Sequence, residues 1–183
     1  MALHVPDFSK NTLLFLLFAV MLSIAPLVNR AQTVPPAPAQ TYPKITGYVG
    51  ILHPIVTINK HETHTNFSDF YVGGLPTGIN IWKSAKVGFS MEIVPTIRAE
   101  NGVSKMNNLL FHPGILLGLG NGYTFAGRAA FETAGRFGVT PVLNKVVVKN
   151  KHSNYFVAVP VPLRFGNDQP ASLTIGFQFG IAF

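Results

Sequence analysis

A strict two-residue alternation over residues 173–183 constrains the fold of this chain more than any other feature. In the sequence LTIGFQFGIAF every odd-numbered position is large and apolar, and every even-numbered position is small or polar. Successive side chains of a β-strand point to opposite faces, whereas an α-helix repeats every 3.6 residues. The alternation therefore predicts a strand with one apolar face and one small or polar face.

Similar alternation divides residues 44–183 into eight predicted strands. Five segments are clear, and three are weaker because their parity slips, as it does at a β-bulge. The clear segments are residues 87–98, 109–120, 123–132, 154–166 and 173–183, and the weaker ones are 44–58, 70–83 and 136–148. We therefore expect an all-β fold, an eight-stranded antiparallel β-barrel.

The predicted connections differ in length along the first half of the chain. Ser84-Ala85 and Asn121-Gly122 are tight turns, and Asn-Gly suits the type I′ geometry of a hairpin. Residues 59–69 and 100–107 are longer and polar. Alternation of short turns and long loops is typical of outer-membrane barrels.

Composition indicates which face of the strands meets water. A soluble lipocalin-like barrel turns its apolar face inward and needs a charged exterior, whereas a membrane barrel turns its apolar face to lipid. Only 11% of the residues are charged, against roughly 25% in an ordinary soluble domain. The non-apolar strand positions are mostly Gly, Ala, Thr and Ser. We therefore expect a transmembrane barrel whose lumen is filled by side chains, with a lipocalin-like barrel binding an apolar ligand as the alternative.

Aromatic residues cluster near the ends of the predicted strands, as in the two interfacial girdles of a membrane barrel. These residues are Phe89, Phe111, Tyr123, Phe131, Phe137, Phe165 and Phe183.

The N-terminal region has the organisation of an export signal. Residues 1–31 combine a polar leader ending in Lys10, an apolar stretch and a small residue at the exit, which predicts a secretory signal peptide for the Sec route. An uncleaved N-terminal anchor is the alternative. Residues 32–43 are rich in Pro and Ala and predict an extended tether. The chain has no cysteine, which excludes disulfides and a lipidated cysteine.

The export signal, the eight segments and the last strand together resemble small bacterial outer-membrane β-barrel proteins of the OmpA/OmpX kind. In that resemblance, alternating apolar residues that end in an aromatic are the C-terminal signal read by the barrel-assembly machinery. The corresponding residues here are Phe177, Phe179, Ile181 and Phe183. The resemblance implies a place in the bacterial outer membrane, porin-like architecture, and contact with outer-membrane lipid and lipopolysaccharide. It implies little about activity.

Prolines within the predicted strands depart from that family, because each removes a hydrogen-bond donor from the sheet. We expect a barrel that is regular in the half nearest the N-terminus and bulged or splayed in the other half. The prolines concerned are Pro54, Pro76, Pro95, Pro113, Pro141, Pro160 and Pro162.

Five charged residues share the inward parity of the predicted strands. Buried charges must pair or cost several kcal/mol each, so we expect a salt-bridged network that closes the lumen, with Glu92 paired to Arg128 or Arg164. A gated pore or a proton path is the alternative. The five residues are Glu92, Arg98, Arg128, Glu132 and Arg164.

Other motifs do not point to catalysis. His61-Glu62-Thr63-His64, with His53 nearby, lacks the HExxH spacing of a helical zinc site, so we expect no metal. His152 and Ser153 are similar only superficially to the His/Ser pair of outer-membrane lipid A deacylases, because adjacent residues of an extended chain point apart. We expect no catalytic residues and no cofactor, and a lipid-modifying outer-membrane enzyme is the alternative.

The formal net charge of +7 raises the possibility of nucleic acid binding, but the lysines are dispersed. Several lie in predicted turns, where phosphates of lipid headgroups or lipopolysaccharide are nearer partners than nucleic acid. These are Lys83, Lys86, Lys149 and Lys151. We expect a structural role in the envelope or an interaction role, with loop 59–69 presented to an external partner.

Overall fold

The structure, a computed structural model, describes residues 41–183. The predicted signal peptide (1–31) and most of the predicted tether (32–43) lie outside these residues. The described part is all-β and contains no helix long and apolar enough to cross a membrane. Its strands are β1 (Lys44–Asn59), β2 (Thr63–Thr65), β3 (Tyr71–Gly74), β4 (Thr77–Trp82), β5 (Val87–Glu100), β6 (Val103–Gly120), β7 (Tyr123–Glu132), β8 (Phe137–Lys149), β9 (Asn154–Pro160), β10 (Leu163–Phe165) and β11 (Ser172–Ala182).

All of the pairings are antiparallel, which confirms that part of the sequence prediction, and they close the sheet on itself. β5, β6, β7, β8 and β9 pair in chain order, and β11 pairs with both β9 and β1. β3 and β4 share one position between β1 and β5, and β9 and β10 share one between β8 and β11. The ring therefore has eight positions, which correspond to the eight predicted segments.

Prolines account for the two interrupted positions of the ring. Pro76 separates β3 from β4, and Pro162 lies between β9 and β10, where a residue without an N–H cannot continue the ladder. A register shift also follows Pro54 in β1.

The expectation of one regular half was wrong. Register shifts also occur at Gly118/Gly120 and Val146/Val148, in the half nearest the first residue of β1. The first shift lies in the β6–β7 pairing beside the tight turn at residues 121–122, and the second lies in the β8–β9 pairing. Val146 is next to the same turn, since its N–H donates to the carbonyl of Gly122 (2.9 Å).

The prediction of a long loop at residues 100–107 was also wrong. β5 and β6 stay paired as far as Glu100 and Val103, with one register shift between Thr96 and Ile97, and are joined by Asn101 and Gly102 alone. Both joining residues have positive φ (51° and 75°), as a type I′ turn requires. This Asn-Gly pair carries the same sequence signal as the turn at residues 121–122.

The connections define two opposite ends of the ring. We call one the turn end: it contains the start of β1, the turns at residues 83–86, 121–122 and 150–153, and the end of β11. We call the other the loop end: it contains residues 60–70, 101–102, 133–136 and 166–171.

Large apolar side chains face outward from the ring. Phe177 and Phe179 are 41% and 42% exposed, whereas Gln178 between them is 4% exposed. β5 follows the same pattern, with Ser90, Glu92 and Val94 buried between exposed apolar residues. The interior has an apolar part of its own, where Leu116, Ala126, Val142 and Ala158 pack together.

Candidate functional site

The centre of the interior contains a buried carboxylate with three partners. Glu92 on β5 lies 3.0 Å from His112 Nδ1 on β6 and 3.3 Å from Arg128 Nη1 on β7, both measured from its Oε1. Its Oε2 accepts a hydrogen bond from the Tyr48 hydroxyl of β1 (2.8 Å). The guanidinium of Arg128 also donates to Tyr48 Oη (3.0 Å) and Ser90 Oγ (3.3 Å). Side chains from four positions of the ring therefore meet at one ion pair.

Two glycines make room for this convergence. A Cβ at Gly78 would overlap the Tyr48 hydroxyl, and a Cβ at Gly114 would lie 2.6 Å from Arg128 Cγ. Small residues on the inner face thus let the long polar side chains cross the interior.

A second ion pair lies closer to the loop end. Arg164 Nε donates to Glu132 Oε1 (2.6 Å), and Arg164 Nη1 donates to Thr140 Oγ1 (3.0 Å). Asn108 Nδ2 donates to the other oxygen of Glu132 (2.6 Å). Each oxygen of the Glu132 carboxylate thus has a hydrogen-bond donor.

His112 joins the two ion pairs. Its Nδ1 contacts the Glu92 carboxylate, which only accepts, and its Nε2 lies 3.1 Å from Arg164 Nη2, which only donates. This geometry assigns the proton to Nδ1 and leaves His112 neutral. The network then contains two carboxylates and two guanidinium groups, and its net charge is zero.

The structure brings together four of the five inward charges named from the sequence. Glu92 pairs with Arg128, and Glu132 pairs with Arg164. Arg98 does not join them: its Nε donates to Glu100 (2.9 Å), and its guanidinium lies 3.5 Å from the centre of the Phe70 ring. Arg98 shares the parity of Glu92 but lies six residues further along β5, about 20 Å at the rise of a strand. The prediction that Arg98 belongs to the interior network was wrong for that reason.

Sequence reasoning missed several polar partners of this network. Ser90 and His112 have the inward parity of their strands, so that parity was the available signal. Tyr48 lies in the segment whose parity slips, and its role depends on β1 being placed opposite β7. The remaining partners are Asn108 and Thr140.

A cavity of about 180 Å³ lies on the turn-end side of the network. Trp82, Leu116 and Phe156 form part of its apolar wall, and Tyr48 and Arg128 line it next to the network. The buried atoms Arg128 Nε and Asn80 Oδ1 have no hydrogen-bond partner. The space is large enough for several water molecules, which would satisfy both atoms. The interior is therefore closed by side chains at the network and hollow towards the turn end.

The segment of loop 59–69 that contains His61 and His64 makes hydrogen bonds and a ring contact with neighbouring residues. The N–H groups of His61 and Glu62 donate to Asn59 Oδ1 (2.8 and 2.9 Å), and the His64 ring stacks on Phe70 at 4.1 Å. Among residues 41–183 no group of three or more His, Cys, Asp or Glu residues is placed to hold a metal ion. Part of the loop folds against the sheet, since Asn66 is bonded through its amide to both the N–H and the carbonyl of Val72 (2.8 Å each).

The residues named as an assembly signal lie on the strand that closes the ring. Phe177, Phe179 and Ile181 belong to β11, and the backbone of Phe183 exchanges two hydrogen bonds with Gly47 (2.9 Å each). Their recognition by the barrel-assembly machinery stays a prediction.

Few known proteins are similar to this chain. No protein-family model matches the chain, and no curated protein matches it. The chain is similar to the solution NMR structure of the de novo designed TMB2.3, with 11% identity and a TM-score of 0.33 over 74% of this chain and 91% of that chain.

Proposed function

We propose that residues 44–183 form an eight-stranded transmembrane β-barrel of a bacterial outer membrane, closed inside by the Glu92–Arg128 and Glu132–Arg164 network. The observation that carries the proposal is the outward apolar surface, which includes Ile93, Phe177 and Phe179. Contiguous apolar patches of a soluble monomer rarely exceed a few hundred Å². An apolar surface on strand after strand is suited to contact with lipid chains.

An aromatic row supports a membrane boundary near the loop end. Phe111, Phe131, Phe137 and Phe165 are successive cross-strand neighbours on β6, β7, β8 and β10, and all four are exposed. Aromatic residues in this arrangement form the interfacial girdles of membrane barrels.

Strand lengths fit the same proposal. β7 has 10 residues and β11 has 11, and a tilted strand needs about 9–11 residues to cross the hydrocarbon core. The hairpin tip at residues 101–102 extends beyond the aromatic row, since it lies eight or more residues further along the strands than Phe111 and its partner Ile93.

The side-chain directions argue against a lipocalin-like barrel. Such a protein would place its large apolar residues inside and its charges outside. Here Glu92 and Arg128 are buried, whereas Ile93 and Phe177 are exposed.

The role that follows is structural or interaction-based. The neutral network closes the interior between the cavity and the loop end, so the barrel is proposed to be non-conducting. The loop end offers exposed groups for contact with a partner, including Phe67, which is stacked on Tyr71 (5.6 Å).

Expression in a Gram-negative bacterium tests the proposal. We expect the protein in the outer-membrane fraction, with faster gel migration before heating than after, and very low conductance in planar bilayers. The variant Arg128→Ala removes the side chain that spans the interior and should raise conductance, whereas Arg98→Ala is the matched control. A soluble periplasmic protein whose migration does not change on heating would refute the proposal.

A further inference from the structure

The net charge of the described residues is concentrated at the turn end. Six lysines lie there, and no Asp or Glu side chain does. The other six Lys and Arg residues of 41–183 are matched by six Asp and Glu residues in the interior or towards the loop end. The six turn-end lysines are Lys44, Lys83, Lys86, Lys145, Lys149 and Lys151.

Strand pairing brings these lysines together from distant parts of the sequence. Lys44 pairs with Trp82 at the start of the turn 83–86, and Lys149 pairs with Asn154 across the turn 150–153. Of the six lysines, Lys145 is partly buried: its Nζ donates to the carbonyl of Asn121 (2.6 Å) and lies 3.8 Å from the centre of the Tyr123 ring. The other five are exposed, and none of the six forms a salt bridge among residues 41–183.

Two of these lysines line the same surface groove. Lys44 and Lys149 border a space of about 330 Å³ at the turn end, together with Ser84 and the glycines at 120 and 122. Two ammonium groups and a hydroxyl around one depression offer hydrogen-bond donors to a phosphate group.

The lysines also adjoin the outward apolar surface. Lys44 precedes the exposed Ile45, Lys86 precedes the exposed Val87, and Lys149 follows the exposed Val148. Long lysine side chains at the margin of an apolar membrane surface place their ammonium groups among the headgroups.

We propose that the turn end binds anionic phospholipid headgroups, with the groove between Lys44 and Lys149 holding a phosphate. This inference rests on the proposed membrane barrel. Each basic residue near an anionic membrane surface adds to the electrostatic attraction, so several exposed lysines with no Asp or Glu side chain at the turn end give a marked lipid preference. The attraction decreases with salt because surface charges are screened.

The test measures lipid selectivity separately from insertion. The full chain is reconstituted in neutral phosphatidylcholine vesicles, with spin-labelled phosphatidylglycerol or phosphatidylcholine as the probe. The turn-end variant replaces Lys44, Lys83, Lys86 and Lys149 by Gln. The control replaces Lys60 in the loop end and Lys105, on β6 close to the loop end, by Gln. We expect a severalfold preference of the wild type for phosphatidylglycerol, lost in the turn-end variant and in high salt but kept in the control.

A second measurement locates the lipid. Because the chain has no cysteine, a single fluorescent label can be attached at Ser84→Cys in the turn end or at Asn101→Cys in the loop end. Headgroup-labelled phosphatidylglycerol should quench the label at position 84 more than the label at position 101. Equal quenching, or a turn-end variant that keeps its lipid preference, would overturn the inference. Inorganic phosphate that binds equally well to the wild type and the turn-end variant would also count against the groove.

Failure of the chain to insert into neutral vesicles would instead refute the proposed barrel. The two failures are therefore distinguishable.

Discussion

Arg128 Nη1 lies 3.3 Å from Glu92 Oε1 across the interior, although the strands that carry them, β5 and β7, are separated by β6. Both side chains are buried, and Tyr48 from β1 is bonded to each of them. The contact therefore depends on closure of the ring as well as on the inward parity of each strand.

Disruption of this pair should destabilise the fold more than removal of both charges. Glu92→Gln or Arg128→Met alone leaves one buried charge without its partner, which costs about 3–5 kcal/mol. The double variant should cost less than the sum of the two. A double-mutant cycle on the free energy of unfolding in detergent or lipid measures this coupling, and additive effects would disprove it. Arg98→Met, which removes a partly exposed pair, should cost less than about 1 kcal/mol.

Gly78 should not tolerate alanine. The new Cβ would overlap the Tyr48 hydroxyl, so Tyr48 would have to leave Glu92 and Arg128, and overpacking of this kind costs about 1–3 kcal/mol. Gly127→Ala is the matched control, because a Cβ there meets its nearest atoms at 3.8 Å. Equal midpoints of denaturant unfolding for the two variants would contradict the placement of Tyr48.

A lysine at Ile93 distinguishes lipid from water at the outer face of the ring. In a membrane barrel, Ile93→Lys should reduce stability by about 2–4 kcal/mol if the site is near the bilayer midplane. Val103→Lys, at the hairpin beyond the aromatic row, should have little effect. In a soluble barrel both substitutions would be tolerated, so unchanged folding yields in vesicles for Ile93→Lys would argue against the lipid-facing surface.

Leu116 and Leu119 should respond differently to truncation. Leu116 is 2% exposed and borders the 180 Å³ cavity, so Leu116→Ala should enlarge it at a cost of about 2–5 kcal/mol. Leu119 is 58% exposed on the opposite face, and Leu119→Ala should cost no more than about 1 kcal/mol. Unfolding free energies check the difference, and a reversed order would show that the faces of β6 are misassigned.

The carboxyl group of Glu100 at the hairpin tip should titrate below its ordinary range. The hydrogen bond from Arg98 lowers the pKa of Glu100 by favouring its charged form. A lowered folded-state pKa stabilises the hairpin above the unfolded pKa, and this contribution is lost as the pH falls through the folded value. Carbon NMR of labelled glutamate should show the pKa of Glu100 rising in Arg98→Met.

The fold could be anticipated because alternation is a local property. The odd-numbered residues of 173–183 share a face whatever the strand pairs with, so their grouping follows from strand geometry alone. The pair Asn101-Gly102 is a local turn signal like Asn121-Gly122. Because polar residues surround it, the sequence analysis predicted a long loop there instead of a hairpin.

The sequence by itself determined the strands, their two faces and the need for the inward charges to pair. Only the tertiary structure decided which charges meet, because Glu92 and Arg98 share a parity and differ only in their height along β5. It also decided that the dispersed lysines collect at one end, since that arrangement depends on the alternating directions of the strands around a closed ring. Parity is fixed between neighbouring residues, whereas register and closure are fixed by hydrogen bonds between residues far apart in the chain.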